Sequence, residues 1–282
     1  MPEHPAFSAG RAAVVTGAAS GIGLAAAERL ADIGMRVCMA DANAAALDAA
    51  AASVTRRAQR ASDVIAVTTD VSRREEVERL KQRAYEAFGG VALLMNNAGR
   101  GGDGSLLSPV DGWQAMLDTN LWGVIHGVQV FAPAMIAAGG PGAIVNTGSK
   151  QGITCPPGNT AYNVSKAGVK VVTEAMAHEL RGIEGCQITA HLLIPGFTHT
   201  GITSAAGSKK PAGAWSAGQV IDFMMSRMEA GDFYILCPDN EVTRDIDAKR
   251  IAWAAGDIVE NRPALSRWHP DYKEAFAAYM AT

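Results

Sequence analysis

The chain has 282 residues, 48% hydrophobic and 19% charged, an ordinary globular mix that argues against disorder. A net charge of −3 and scattered cations leave no electrostatic footprint for nucleic acid or an anionic membrane. The sequence shows no run of about 18 apolar residues, and the opening MPEHPAF lacks the basic start and apolar run of a signal peptide. Cys38, Cys155, Cys186 and Cys237 are far apart without metal-type pairing, so reduced thiols, no metal and a cytoplasmic location are expected.

In chain order, Arg11–Thr16, Arg36–Asp41, Asp63–Thr68, Val91–Asn96, Gly142–Thr147 and Gln187–Ile194 read as strands. Their nearly continuous apolar runs suit parallel strands buried on both faces. Between them lie helical patterns over Gly21–Ile33, Ala44–Ala61, Arg73–Phe88, Gly112–Ala138 and Thr160–Arg181. Strand–helix alternation without a linker or repeat predicts one α/β domain over 1–282, built on a doubly wound parallel sheet. Within it, 195–230 reads as a loop-and-helix region, with a polar loop at Ser204–Gly213 and a helix over Trp215–Glu229. Asp232–Cys237 reads as a closing strand, and the tail 238–282 carries enough aromatic residues to pack on the rest.

TGAASGIG (Thr16–Gly23) falls between the first strand and the first helix. Gly17 permits a tight turn, Gly21 lets backbone approach a pyrophosphate, and Gly23 lets helix pack close to strand. The helix start then offers free N–H groups to phosphates, which makes the turn, with Ser20 and Ile22 in it, a nucleotide site. Asp41 ends the second strand, where a carboxylate can accept hydrogen bonds from the adenosine ribose and repel a 2′-phosphate. That predicts NAD in preference to NADP; the alternative is that Asp41 merely caps the next helix.

Tyr162 and Lys166, in YNVSK, are one helical turn apart and project from one face. A phenol with an ordinary pKa of about 10 needs help to ionise at neutral pH. A neighbouring ammonium is expected to supply it, making Tyr162 a general base for an alcohol proton and an acid in reverse.

The turn spacing is GxxxGxG. Together with YxxxK, it resembles the classical short-chain dehydrogenases/reductases, over roughly Arg11 to Cys237. The resemblance implies a Rossmann-like three-layer α/β/α fold and interconversion of a secondary alcohol and a ketone. It assigns Ser149, thirteen residues before Tyr162, to hold the substrate oxygen, and Asn120 in DTNLWG to support a water relay beside Lys166. Asp70 and Val71 match the pair that contacts adenine. Asn97, Ala98 and Gly99 of NNAG border the cofactor, and Pro195, Gly196, Thr198 and Thr200 of PGFTHT contact the carboxamide. Relatives that prefer NADP usually carry a cation where this chain has Ser20 or Ala42. Gln151, Cys155 and Phe197 occupy positions near substrate.

The resemblance thins after Pro238. The tail either closes over a substrate pocket, favouring a bulky apolar or aromatic substrate, or serves packing and oligomer contacts. Arg100 either attracts an acidic substrate or faces solvent. The alternative functions are an NADP-linked 3-ketoacyl-type reductase and a catalytically silent nucleotide-binding protein. Family likeness further implies a homodimer or homotetramer, and a small-molecule alcohol or ketone as the only expected partner.

Overall fold

The computed structural model describes residues 4–107, 109–203 and 208–282, so four residues of the expected polar loop, 204–207, lie outside it. Seven strands form one parallel sheet: β1 Ala12–Thr16, β2 Arg36–Asp41, β3 Val64–Thr68, β4 Leu93–Asn96, β5 Gly142–Thr147, β6 Ile188–Ile194 and β7 Tyr234–Leu236. Their order across the sheet is β3-β2-β1-β4-β5-β6-β7. The order reverses between β1 and β4, and a crevice opens there beyond the carboxyl ends of the strands.

Alternation along the strands sends side chains to two cores. Ala13, Val15, Val37, Met39, Leu93 and Met95 face one side, beneath helices α1 (Gly21–Asp32), α2 (Ala44–Thr55) and α8 (Ala217–Glu229). Ala12, Val14, Cys38, Ala40, Leu94 and Ile144 face the other. Helices α3 (Arg74–Phe88), α5 (Gly123–Ala137) and α7 (Thr160–Arg181) cover that side through residues such as Leu80, Phe131 and Leu180. The fold is therefore a single Rossmann-like, three-layer domain.

Helix α4 (Val110–Leu117) joins α5 through a π-helical turn at Asp118–Trp122 that carries Asn120. The continuous stretch Val110–Ala137 is 28 residues long, with an 18-residue window of mean hydropathy 1.2. By length and composition it could cross a membrane, which corrects the sequence expectation that no segment could. Its apolarity has another use here, because Val124, Val130, Phe131 and Met135 are buried within the fold. The helix is apolar because one side covers a sheet that is itself apolar.

A one-turn helix, α6 (Gln151–Thr154), follows β5. The tail folds into α9 (Arg244–Val259), two 3₁₀ turns and α10 (Lys273–Ala281). Trp253 organises it: buried, it donates Nε1–H to Ser266 Oγ at 2.8 Å and lies under the Arg262 guanidinium, 4.1 Å away. Phe276 and Tyr279 of α10 meet the same ring at 5.2 and 5.1 Å between centroids. Helix α9 also touches α6, so the tail reaches the segment behind β5.

Candidate active site

The phosphate-binding turn is built by close approach. Gly17 has φ +65°, and a Cβ there would stand 2.8 Å from Ala98 Cα. A Cβ on Gly23 would stand 2.2 Å from the Gly17 carbonyl oxygen, so helix α1 can start this near β1 only with glycine. Thr16 secures the opposite wall: its Oγ1 accepts from Asn97 N at 2.9 Å and Ala98 N at 3.1 Å. The first turn of α1 contains no acidic side chain that would compete for an anion.

Asp41 stands beside this turn. Its Oδ2 accepts from Ala19 N at 3.1 Å and its Oδ1 from Asn43 N at 3.0 Å, which fixes the carboxylate while leaving lone pairs free. The cap of α2 is Asn43, whose Oδ1 accepts from Ala46 N, so Asp41 is not the helix cap.

A cavity of about 730 Å³ runs from this turn to the end of β5. Gly17, Ser20, Gly21, Ile22, Asp41, Asn97 and Gly99 line its first half. Ser149, Gln151, Tyr162, Lys166, Pro195, Gly196, Phe197, Thr198 and Thr200 line the second. A cavity of this size, with a glycine cradle at one end and the Asp41 carboxylate beside it, fits a dinucleotide and a small substrate.

Helix α7 aims the reacting end. Asn159 Oδ1 accepts from Tyr162 N at 3.2 Å and caps the helix, while its Nδ2 donates to the Gly102 carbonyl. Ser149, whose Oγ accepts from Gln151 N at 3.2 Å, lines the same cavity as Tyr162, near enough to pull its phenol down. Lys166 is fully enclosed and donates to the Thr147 carbonyl at 2.8 Å.

Burial pushes the Lys166 ammonium down to about 8. It also pushes the Tyr162 phenol up, against the opposing pull of the Ser149 side chain. This differs from the expectation that Lys166 would ease phenol ionisation. The ammonium is 5.8 Å from the phenol ring centre and committed to a backbone carbonyl, so loss of solvent outweighs its field.

Several residues expected at the site stand behind the lining. Gly23 and Ala98 shape the turn without facing the cavity. Asn120, fully buried, accepts from Arg100 N at 2.8 Å and donates to Ser165 Oγ at 3.2 Å, so it ties the NNAG loop to α7. Asp70 is turned to Ser72, whose N and Oγ both donate to its Oδ1, and Val71 is buried against Gly123. Cys155 ends α6 in the left-handed region at φ +45°, outside the lining, and burial raises its thiol. Arg100 is exposed and does not line the cavity. Sequence reading passed over Lys150, Asn159 and Ile202 in the lining; a cap position before YxxxK was the available signal for Asn159. Among the described residues, no three His, Cys, Asp or Glu side chains group to hold a metal ion.

Comparison with known proteins agrees with this geometry. Residues 11–211 match the family described as short chain dehydrogenase. The chain is 31% identical over 264 residues to a 1-deoxy-11-beta-hydroxypentalenate dehydrogenase of Streptomyces exfoliatus, covering 92% of this chain and 94% of the relative. A short-chain dehydrogenase/reductase of Burkholderia phymatum, solved in complex with NAD, is similar at 34% identity. The match has a TM-score of 0.81 and covers 93% of this chain and 98% of that one. A putative short-chain dehydrogenase of Novosphingobium aromaticivorans matches at 26% identity with a TM-score of 0.76, over 97% and 96% of the two chains. With its glycine turn, its parallel sheet and a family match over well over half its length, the chain belongs to the short-chain dehydrogenase family of oxidoreductases.

Proposed function

We propose that the protein is an NAD-dependent dehydrogenase/reductase that interconverts a secondary alcohol and a ketone on a bulky apolar or aromatic molecule. The observation that carries this is that Tyr162, Ser149 and Lys166 line one cavity together with the glycine turn and Asp41. A nicotinamide cofactor bound along that cavity would supply the hydride acceptor or donor.

Tyr162 Oη takes the hydroxyl proton in oxidation and returns it in reduction. Ser149 Oγ holds the same oxygen and stabilises its developing charge. Lys166, fixed on Thr147 with its ammonium 5.8 Å from the Tyr162 ring centre, would hold a cofactor ribose beside Tyr162. Asn120 supports both by holding the loop after NNAG against α7. Asp41 favours two free ribose hydroxyls and repels a 2′-phosphate, which supports NAD over NADP. Phe197 and Ile202, both partly exposed and lining the cavity, support an apolar substrate.

The test is a screen of aliphatic, aromatic and polycyclic secondary alcohols with NAD and NADP, followed by absorbance of the reduced cofactor. NAD-linked turnover is expected; equal efficiency with both cofactors would defeat the NAD assignment. Assembly as a dimer or tetramer is part of the same reading. It is supported by Trp122, beside α5, and by Val164 and Val171 on α7, large apolar side chains left exposed on the central helices.

A further inference from the structure

We infer that Lys150 is a positioning residue that clamps the loop carrying Ser149 to the Pro195–Phe197 wall and to helix α9, so that the C-terminal tail holds the reacting end in shape. The inference rests on the dehydrogenase reading for its kinetic consequences, but its geometry stands by itself.

Lys150 directly follows Ser149 and reaches two carboxylates. Its Nζ is 2.5 Å from Asp247 Oδ2 on α9 and 3.6 Å from Asp239 Oδ2. Both acids are buried, with side chains 6% and 5% exposed. Neither Lys150 Nζ nor Asp247 Oδ2 has a directed hydrogen bond among the described residues, so the ion pair is what compensates each. Arg250 and Arg267 border the same 50 Å³ cavity as this pair, and both feel the Asp247 charge. Asp247 is thus the carboxylate that ties Lys150 to α9, with Arg250 and Arg267 feeling the same charge, and neutralising it removes that tie while leaving Lys150 only the more distant Asp239.

Asp239 carries the other arm. Its Oδ2 accepts from Phe197 N at 3.2 Å, and its Oδ1 from Glu241 N and Val242 N at 3.0 and 2.7 Å. These bonds hold its carboxyl below the usual range against the effect of burial. A Cβ on Gly196 would stand 2.8 Å from Asp239 Oδ2 and 3.0 Å from Lys150 Nζ, so the clamp is seated against the backbone of the wall. On the opposite side, a Cβ on Gly152 would stand 2.5 Å from the Lys166 carbonyl carbon. Helix α6 therefore rests on α7 beside Lys166 and is held from behind by Lys150. Asp239 and Asp247 both lie past residue 211, where the family match ends, so the clamp joins that later segment to Ser149.

Hydrogen exchange on the purified full chain tests this, comparing the parent with Asp247→Asn and Lys150→Met. The amides of residues 151–155, of which Gln151 N bonds Ser149 Oγ and the others bond the carbonyls of Ser149, Lys150 and Gln151, are expected to exchange about tenfold faster in both variants. The amides of β1, β4 and β5 should keep their rates. NADH titrated by fluorescence should bind about threefold more weakly. With the alcohol found by the screen, kcat should fall about tenfold while its KM stays within about twofold. Lys150→Arg, which keeps the cation, should restore kcat and exchange.

Unchanged exchange at 151–155 in soluble Asp247→Asn overturns the clamp. So does acceleration spread evenly over the sheet, which is a loss of overall stability only. If Lys150→Met does not fold, Asp247→Asn decides, because Lys150 there keeps Asp239. A parent that turns over no alcohol defeats the dehydrogenase reading, and the exchange comparison then decides the clamp separately.

Discussion

Tyr162 is held in a place where burial works against its own ionisation, and that sets what can be measured at the scale of one residue. Because the phenol is pushed up, its base form is scarce at neutral pH and increases as protons are withdrawn. Alcohol oxidation should therefore speed up steadily from about pH 7 to pH 9 in kcat/KM; a flat profile would place the base elsewhere. Tyr162→Phe keeps the ring and its packing but loses the proton carrier. It should cut turnover by a factor of about a hundred or more, with NADH affinity by fluorescence titration close to that of the parent. Asp41→Ser removes the charge beside the glycine turn and should move the NADP-to-NAD ratio of kcat/KM towards NADP by about tenfold, worth about 1.4 kcal/mol. The resolved place of Asp41, fixed by two backbone donors and not used as a cap, is why a single substitution should read out so cleanly.

At the scale of elements, α7 is the helix on which the site depends. Its cap, Asn159, does two jobs, since the same side chain holds the Gly102 carbonyl against the helix start. Asn159→Ala should cost about 1 kcal/mol as a lost cap, lowering Tm by about 2–4 °C. It should also raise the substrate KM because the loop bordering the cavity is released. Gly127 in α5 shows a different kind of constraint. A Cβ there would fall 2.0 Å from Asn96 Oδ1, the end of a buried chain in which Asn96 donates to Asn146 and Asn146 to Thr173. Gly127→Ala should destabilise by about 1–3 kcal/mol through overpacking, seen as a lower midpoint in thermal melting. A neutral result would mean that α5 can shift off β4 at no cost.

For the whole molecule, the paired histidines His4 and His191, the latter in β6, set an acid limit. His4 meets His191 ring to ring at 5.5 Å, and burial followed by that neighbour lowers its pKa to about 4. His191 is lowered too, chiefly by burial. The unfolded chain, with histidine near 6.5, binds more protons than the folded one between those values. Stability contributed by keeping these rings neutral is therefore present above about pH 6.5 and lost as pH falls towards about 4. Thermal melting across that window should show a falling midpoint, and His4→Gln should flatten the slope. Size-exclusion chromatography with light scattering checks assembly: a mass above one chain is expected, and Trp122→Glu should reduce it. A monomeric parent would remove that part of the reading.

How far the site could be read in advance depended on whether its chemistry is local. The glycine turn, the YxxxK pair and the strand cores were legible in the sequence because each rests on spacing within one or two adjacent elements. Strand ends such as Leu93 and Tyr234 fell inside the expected runs, since apolar neighbours such as Val91, Ala92 and Phe233 extend the pattern beyond the strand itself. The phenol's raised pKa could not be read from spacing, because it comes from the closure of protein around Tyr162 and not from its distance to Lys166. Asp70 and Val71 illustrate the same limit, being turned to Ser72 and Gly123 by packing. Lys150 was silent in sequence as well: its partners, Asp239 and Asp247, are distant along the chain and become neighbours only when α9 docks behind β5. The sequence alone thus determined the sheet through periodicity, and the glycine turn and the YxxxK pair through local spacing, while the other residues proposed to react were reached through the family resemblance. Tertiary structure decided which charges are buried together, because desolvation depends on every element that closes around a group.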